Sequence, residues 1–235
     1  VEQLERLRAA GCDGLKMLSG KPTARRDLGW ALDDAVFEPL LSRLEETQFP
    51  VLWHVGDPPE FWNPDAVPLW AKRHRWWYDE TCPPKEQIDR EIAHVFERHP
   101  TLNLILPHFF FLSQDLPAAA RLLETYPGYH LDLAPGVEMY HNFTSNYDTA
   151  RQFFLQWADR IVLGTDIGLG KHTNGPLRGW MVRHWLETDD EFDVPEDPFM
   201  TPDERPAIRG LGLPAEALAK IEAGNFERIV GAKRP

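Results

Sequence analysis

Two cysteines in 235 residues, Cys12 and Cys82, are too few and too far apart for a disulfide framework or a paired zinc knuckle. No run approaches the about 20 apolar residues that span a bilayer, and no signal-peptide pattern opens the chain. Basic residues are in the minority, 25 Lys and Arg against 37 Asp and Glu, for a net charge of -12 and a pI near 5.2. Such a chain lacks the basic face that phosphate backbones require and is repelled by acidic membrane surfaces. The expectation is a cytoplasmic protein that acts on a small molecule, with no nucleic-acid or membrane partner and with a homo-oligomer as its foreseen assembly. Also missing are a GxGxxG turn, a phosphate-binding glycine loop, a GxSxG elbow and an HExxH helix, which removes the common nucleotide and serine-hydrolase readings.

What is present is an alternation of short apolar runs with amphipathic ones. Val1, Leu4 and Leu7 at helical spacing run to Gly11, and GLKML follows as a strand. Ser19 to Trp30 reads as a loop, and Asp33 or Asp34 caps a helix through Val36, Leu40, Leu41 and Leu44. The strand VLWHV follows Pro50, helical periodicity spans Lys85 to Arg98, and LNLIL is the next strand. Helices over Asp115 to Tyr126 and Asp148 to Trp157 flank the strand YHLDL, and RIVLGTD closes the series. Beyond Asp166 no strong strand is expected, only helices around Trp180 to Glu187, Pro214 to Glu222 and Asn225 to Val230 and an acidic loop from Thr188 to Pro206. Five apolar strands alternating with helices predict an α/β fold with a parallel sheet covered by helices. Residues 1–235 read as one domain, interrupted at about 56–84 by a Trp- and Pro-rich insertion too aromatic for a disordered linker.

Four strands end in a residue that holds a metal or moves a proton: Lys16, His54, His108 and Asp166. A parallel αβ barrel gathers its chemistry at those ends. His54 suits a metal, because a neutral imidazole on a rigid strand is a directed zinc ligand; a hydrogen-bonded core histidine is the plainer alternative. Asp166 is a carboxylate at the end of a buried strand, able to bind a divalent cation or to accept a proton, or else to cap its own loop. His108, between Pro107 and three phenylalanines, is expected to stay neutral and to act as a base or to polarise a carbonyl, unless a backbone carbonyl merely satisfies it. Lys16 is a candidate to neutralise a substrate carboxylate, to bridge two metals if carbamylated, or to form a structural ion pair, and Asp132 to line the site or cap its turn. Arg73 and Trp76, within RHRWW, are candidates to clamp an aromatic or acidic substrate or to form an oligomer contact. His141, His172 and His184 have no ligand spacing and are expected at the surface.

The segments GLKML, PVLWHVGDP, LNLILPHFFFLSQDLPAAARLLETYPGYHLDLAPG, RIVLGTDIG and AGNFERIVG, in this order, resemble the amidohydrolase-related family of metal-dependent hydrolases and decarboxylases. That resemblance implies a distorted TIM-type barrel, with a divalent metal, Zn2+ above others, as cofactor. It matches His54 to the histidine ligand of the family's fifth strand, His108 to the active-site histidine of the sixth and Asp166 to the metal-binding aspartate of the eighth. Lys16 then ends the fourth strand. The His-x-His pair of the family's first strand occurs nowhere in the sequence, so the first three strand and helix units are expected to be absent from these residues. The resemblance implies hydrolysis or non-oxidative decarboxylation of a small organic acid or ring compound. The competing expectation is an inert barrel fragment that serves as a binding or assembly subunit.

Overall fold

Parallel strands cannot be joined by tight turns, so each crossover must carry a helix, and the chain follows that rule through five strands. The computed structural model describes residues 1–136, 138–167, 174–194, 200–205 and 207–231. Its first half contains α1 (Glu2–Ala9), β1 (Leu15–Gly20), α2 (Pro22–Leu28), α3 (Glu38–Thr47), β2 (Val51–Val55), α4 (Leu69–Arg73), α5 (Lys85–Arg98) and β3 (Leu104–Leu106). Then come α6 (Leu116–Thr125), β4 (Tyr129–Asp132), α7 (Met139–Ser145), α8 (Tyr147–Gln156), β5 (Ile161–Val162) and α9 (Gly175–Glu187). The last elements are β6 (Glu191–Phe192), β7 (Ile208–Arg209), α10 (Ala215–Ala219) and α11 (Asn225–Val230), with a π-turn joining the two final helices. Strands β1 to β5 form one parallel sheet in sequential order.

Alternation along the strands separates two faces. The outer face, with Val51, Trp53, Leu104, Leu106, Tyr129, Leu131 and Ile161, packs under the helices as the main core. The inner face carries Lys16, Leu52, Ile105 and His130 in register. Ile105 and Val162 are covered there by Ile229 of α11. No helix among the described residues is long and apolar enough to cross a membrane.

Three expectations are corrected. Ser19–Trp30, read as a loop, contains α2, because Pro22 opens it, Gly29 ends it in a left-handed conformation and Arg25 is pulled into the interior. The Arg25 guanidinium grips Glu91 of α5 with two hydrogen bonds of 2.9 Å, and the Leu32 N–H donates to the same carboxylate. Burial pushes the Glu91 carboxyl up, and these donors outweigh that push and hold it below its ordinary value. The helix expected from Asp33 or Asp34 begins at Glu38, since Asp34 instead accepts the Val36 N–H in a local turn. Beyond Asp166 a two-residue antiparallel pair, β6 and β7, forms where no strand was expected. His172 and residues 195–199 of the acidic loop lie outside the described residues.

His130 is 4% exposed on the inner face, and among the described residues neither ring nitrogen makes a well-formed hydrogen bond. Burial, with Arg160 and Arg228 nearby, lowers its pKa to about 4. As pH falls below the usual histidine value, the unfolded chain takes a proton that the folded chain refuses, so stability drops between about pH 6.5 and 4. His130→Leu is expected to remove up to about 3 kcal/mol of that acid-side loss, read from urea unfolding across the pH range.

Candidate active site

The carboxyl ends of the five strands converge on a cavity of about 300 Å³. Two glycines permit that closeness: a Cβ on Gly20 would lie 2.5 Å from the His54 carbonyl oxygen, and one on Gly164 would lie 2.7 Å from the Ala134 nitrogen. Lys16, His54, Trp76, His108 and Asp166 all line the cavity. Arg73 does not, which corrects its expected place. Its guanidinium pairs with Glu204 at 2.5 and 3.0 Å and ties the insertion to a segment 131 residues away.

His108 is set by an unusual backbone. His108, Phe109, Phe110 and Phe111 have φ values of 55, 56, 53 and 56°, four consecutive non-glycine residues in the left-handed region. Such a residue costs roughly 1–2 kcal/mol, so the turn persists only because its surroundings hold it. Phe109 is fully buried against Phe143 and Phe154, Phe110 meets Phe96, and Phe111 stacks on the His108 ring. Asp132, at the end of β4, accepts the N–H groups of His108 and Ala134, both at 2.9 Å. Burial raises the Asp132 pKa to about 6 despite these two donors.

The His108 Nδ1 lies 3.0 Å from the Ala134 carbonyl oxygen, which only accepts; Nδ1 therefore carries the hydrogen, and Nε2 keeps its lone pair. Desolvation, helped by the neighbouring His54, lowers the His108 pKa to about 4, so the ring is neutral at pH 7. His54 meets it edge to face at 5.2 Å. By the same reasoning the His54 Nε2 donates to the Gly56 carbonyl at 3.0 Å, with Asp57 Oδ1 at 3.4 Å. Asp166, also left-handed at φ 49°, stands exposed at the cavity wall.

Three cations face these groups. Desolvation pulls the Lys16 ammonium below the ordinary lysine range, opposed by Asp132 and Asp166. Lys21 lies 5.9 Å from the centre of the Trp76 ring. Arg178 of α9 donates through Nη2 to the Pro135 carbonyl at 3.0 Å, while its buried Nε has no partner among the described residues. Glu138 completes the wall; burial, with repulsion from Glu60 and Asp57, raises its pKa to about 7. Sequence reading missed Arg178 and Glu138, since neither ends a strand. His184, expected at the surface, is half-buried and stacks on Trp180 at 4.7 Å.

His54 and Asp166, the expected metal ligands, share the cavity. Among the described residues, however, no group of three or more His, Cys, Asp and Glu is placed to hold one ion. A catalytic zinc takes three protein ligands, so this donor set does not fit one by itself.

Asp132→Ala leaves two buried N–H groups unpaired and is expected to cost about 2–5 kcal/mol in urea unfolding. Asp132→Asn keeps an acceptor oxygen and is expected to retain most of the stability and the wild-type His108 imidazole signal in histidine-selective NMR.

The profile of the amidohydrolase family matches residues 1–231. No curated relative matches the sequence. Among solved structures, an uncharacterized TIM-barrel protein from Bordetella bronchiseptica is 17% identical, with a TM-score of 0.54 over 97% of this chain and 60% of that one. The 4-oxalomesaconate hydratase of Rhodopseudomonas palustris is 14% identical, with a TM-score of 0.51 over 97% of this chain and 58% of that one. A protein assigned as a 2-pyrone-4,6-dicarboxylic acid hydrolase in Pseudomonas putida is 14% identical, with a TM-score of 0.51 over 100% of this chain and 68% of that one. The chain thus spans about 60% of the length of the first two, and at these identities the likeness is one of fold. The α/β sheet, the sequence segments and the profile agree: this chain belongs to the amidohydrolase family.

Proposed function

We propose that the protein is an enzyme that hydrolyses a small organic acid or its cyclic ester. The observation that carries this reading is the cavity itself, in which Lys16, Lys21 and Arg178 face a neutral histidine whose Nε2 keeps its lone pair. A carboxylate entering there meets the guanidinium of Arg178, which lines the cavity and offers it charge-assisted hydrogen bonds. The His108 Nε2 then removes a proton from a water aligned against the acyl carbon, and Lys16 stabilises the oxyanion that develops. Glu138, with a pKa of about 7, is partly protonated at neutral pH and in that form supplies the proton to the leaving oxygen. Asp166, at the wall, keeps the protonated His108 favourable once it forms, as its charge already raises the pKa of that ring.

Glu138 also supports a second reading, non-oxidative decarboxylation, in which it delivers the proton to the carbon that loses carbon dioxide. The two separate in one assay, a panel of small carboxylic acids and their lactones followed for both carbon dioxide release and ester cleavage. For hydrolysis, His108→Gln is expected to lower kcat by about 100-fold or more. Arg178→Gln is expected to raise KM about tenfold with kcat little changed. Ester cleavage that is unaffected by both substitutions would place the chemistry elsewhere.

A further inference from the structure

The insertion between β2 and α5 builds a small core of its own from Phe61, Val67, Trp70, Ala71, Tyr78 and Cys82. Within it the Tyr78 N–H donates to the Phe61 carbonyl at 2.7 Å, and the Tyr78 ring packs on Trp62 at 4.7 Å. Trp62 in turn donates through Nε1 to the Pro83 carbonyl at 2.9 Å, where the insertion rejoins the chain. Tyr78 therefore moves only with the insertion. Its hydroxyl leaves that core and donates to Asp57 Oδ2 in a short hydrogen bond. Asp57 follows β2 by two residues, and its other oxygen is 3.4 Å from His54 Nε2. Tyr78, Asp57 and His54 are 5%, 7% and 7% exposed, so water does not substitute for any of these contacts.

We propose that Tyr78 is a positioning residue, through which the aromatic insertion sets the orientation of His54 by way of Asp57. A buried carboxylate needs donors, and among the described residues Asp57 has these two neighbours to supply them. With the phenol in place, Asp57 is shared, and His54 Nε2 keeps its hydrogen bond to Gly56. Without it, Asp57 turns wholly to His54, draws the ring away from Gly56 and changes its edge-to-face contact with His108. The Arg73–Glu204 pair holds the same insertion from outside without touching this chain of bonds. The insertion thus has an outer tie that fixes its position and an inner one that orients the site. This inference concerns His54 alone and stands whichever reaction the cavity performs.

The test compares Tyr78→Phe with Glu204→Gln, reading the His54 imidazole signal in histidine-selective NMR, assigned with His54→Gln, and amide exchange of residues 59–82. Tyr78→Phe loses a hydrogen bond to a charged acceptor and is expected to speed exchange about tenfold and to move or broaden the His54 signal. Glu204→Gln is expected to speed exchange and leave that signal in place. A His54 signal unchanged by Tyr78→Phe, or moved equally by both variants, overturns the proposal. If Tyr78→Phe does not fold, 3-fluorotyrosine replaces tyrosine throughout the chain. That replacement keeps the ring and strengthens the phenol as a donor, so the His54 signal is expected to move; an unmoved signal is again contrary.

Discussion

The candidate site depends on one buried carboxylate. Asp132 ends β4 inside the sheet, where an uncompensated charge is expensive, and it is tolerated because two backbone N–H groups point at it. One of those groups belongs to His108, so the same bonds that satisfy Asp132 hold the left-handed turn in which His108 sits. The three phenylalanines that follow clamp the turn by packing in three different directions. Four left-handed residues in succession is a poor backbone by local preference, and it persists where tertiary contacts over-determine it. The outcome is an imidazole whose tautomer is fixed, with the hydrogen on Nδ1 and a lone pair on Nε2.

Around that imidazole the cavity separates opposite requirements. Desolvation keeps His108 neutral and Glu138 partly protonated, while Lys16, Lys21 and Arg178 supply positive charge to the same small volume. A base, an acid and an anion anchor coexist because burial reverses the usual order of the first two, lowering His108 to about 4 and raising Glu138 to about 7. The insertion closes one side of this space with Phe61, Trp70, Trp76 and Tyr78.

Much of this was legible in the sequence, for a simple reason. Strand ends in a parallel sheet share one edge, so Lys16, His54, His108 and Asp166, each closing an apolar run, had to approach one another. The neutrality of His108 followed from its phenylalanine neighbours. Arg73 was misplaced because its partner, Glu204, is distant in sequence and no local pattern joins them. Arg178 and Glu138 stand on and before helices, where a charged residue looks like any solvated one, and only the folded chain turns them inward. The helix at Pro22–Leu28 was missed because a buried ion pair with Glu91, 66 residues on, overrides a polar local pattern. Asp57 did carry a signal, a carboxylate straight after the Val-Gly turn that follows His54, but its tyrosine partner comes from inside an insertion without regular periodicity.

The central claim is that the cavity at the carboxyl edge of the sheet is an organic-anion site, and a crystal structure with malonate tests it most directly. The account predicts a bound carboxylate within hydrogen-bond reach of the Arg178 guanidinium, beside His108 and facing Lys16. Malonate found only on surface lysines or arginines, with the cavity free of it, would contradict the account.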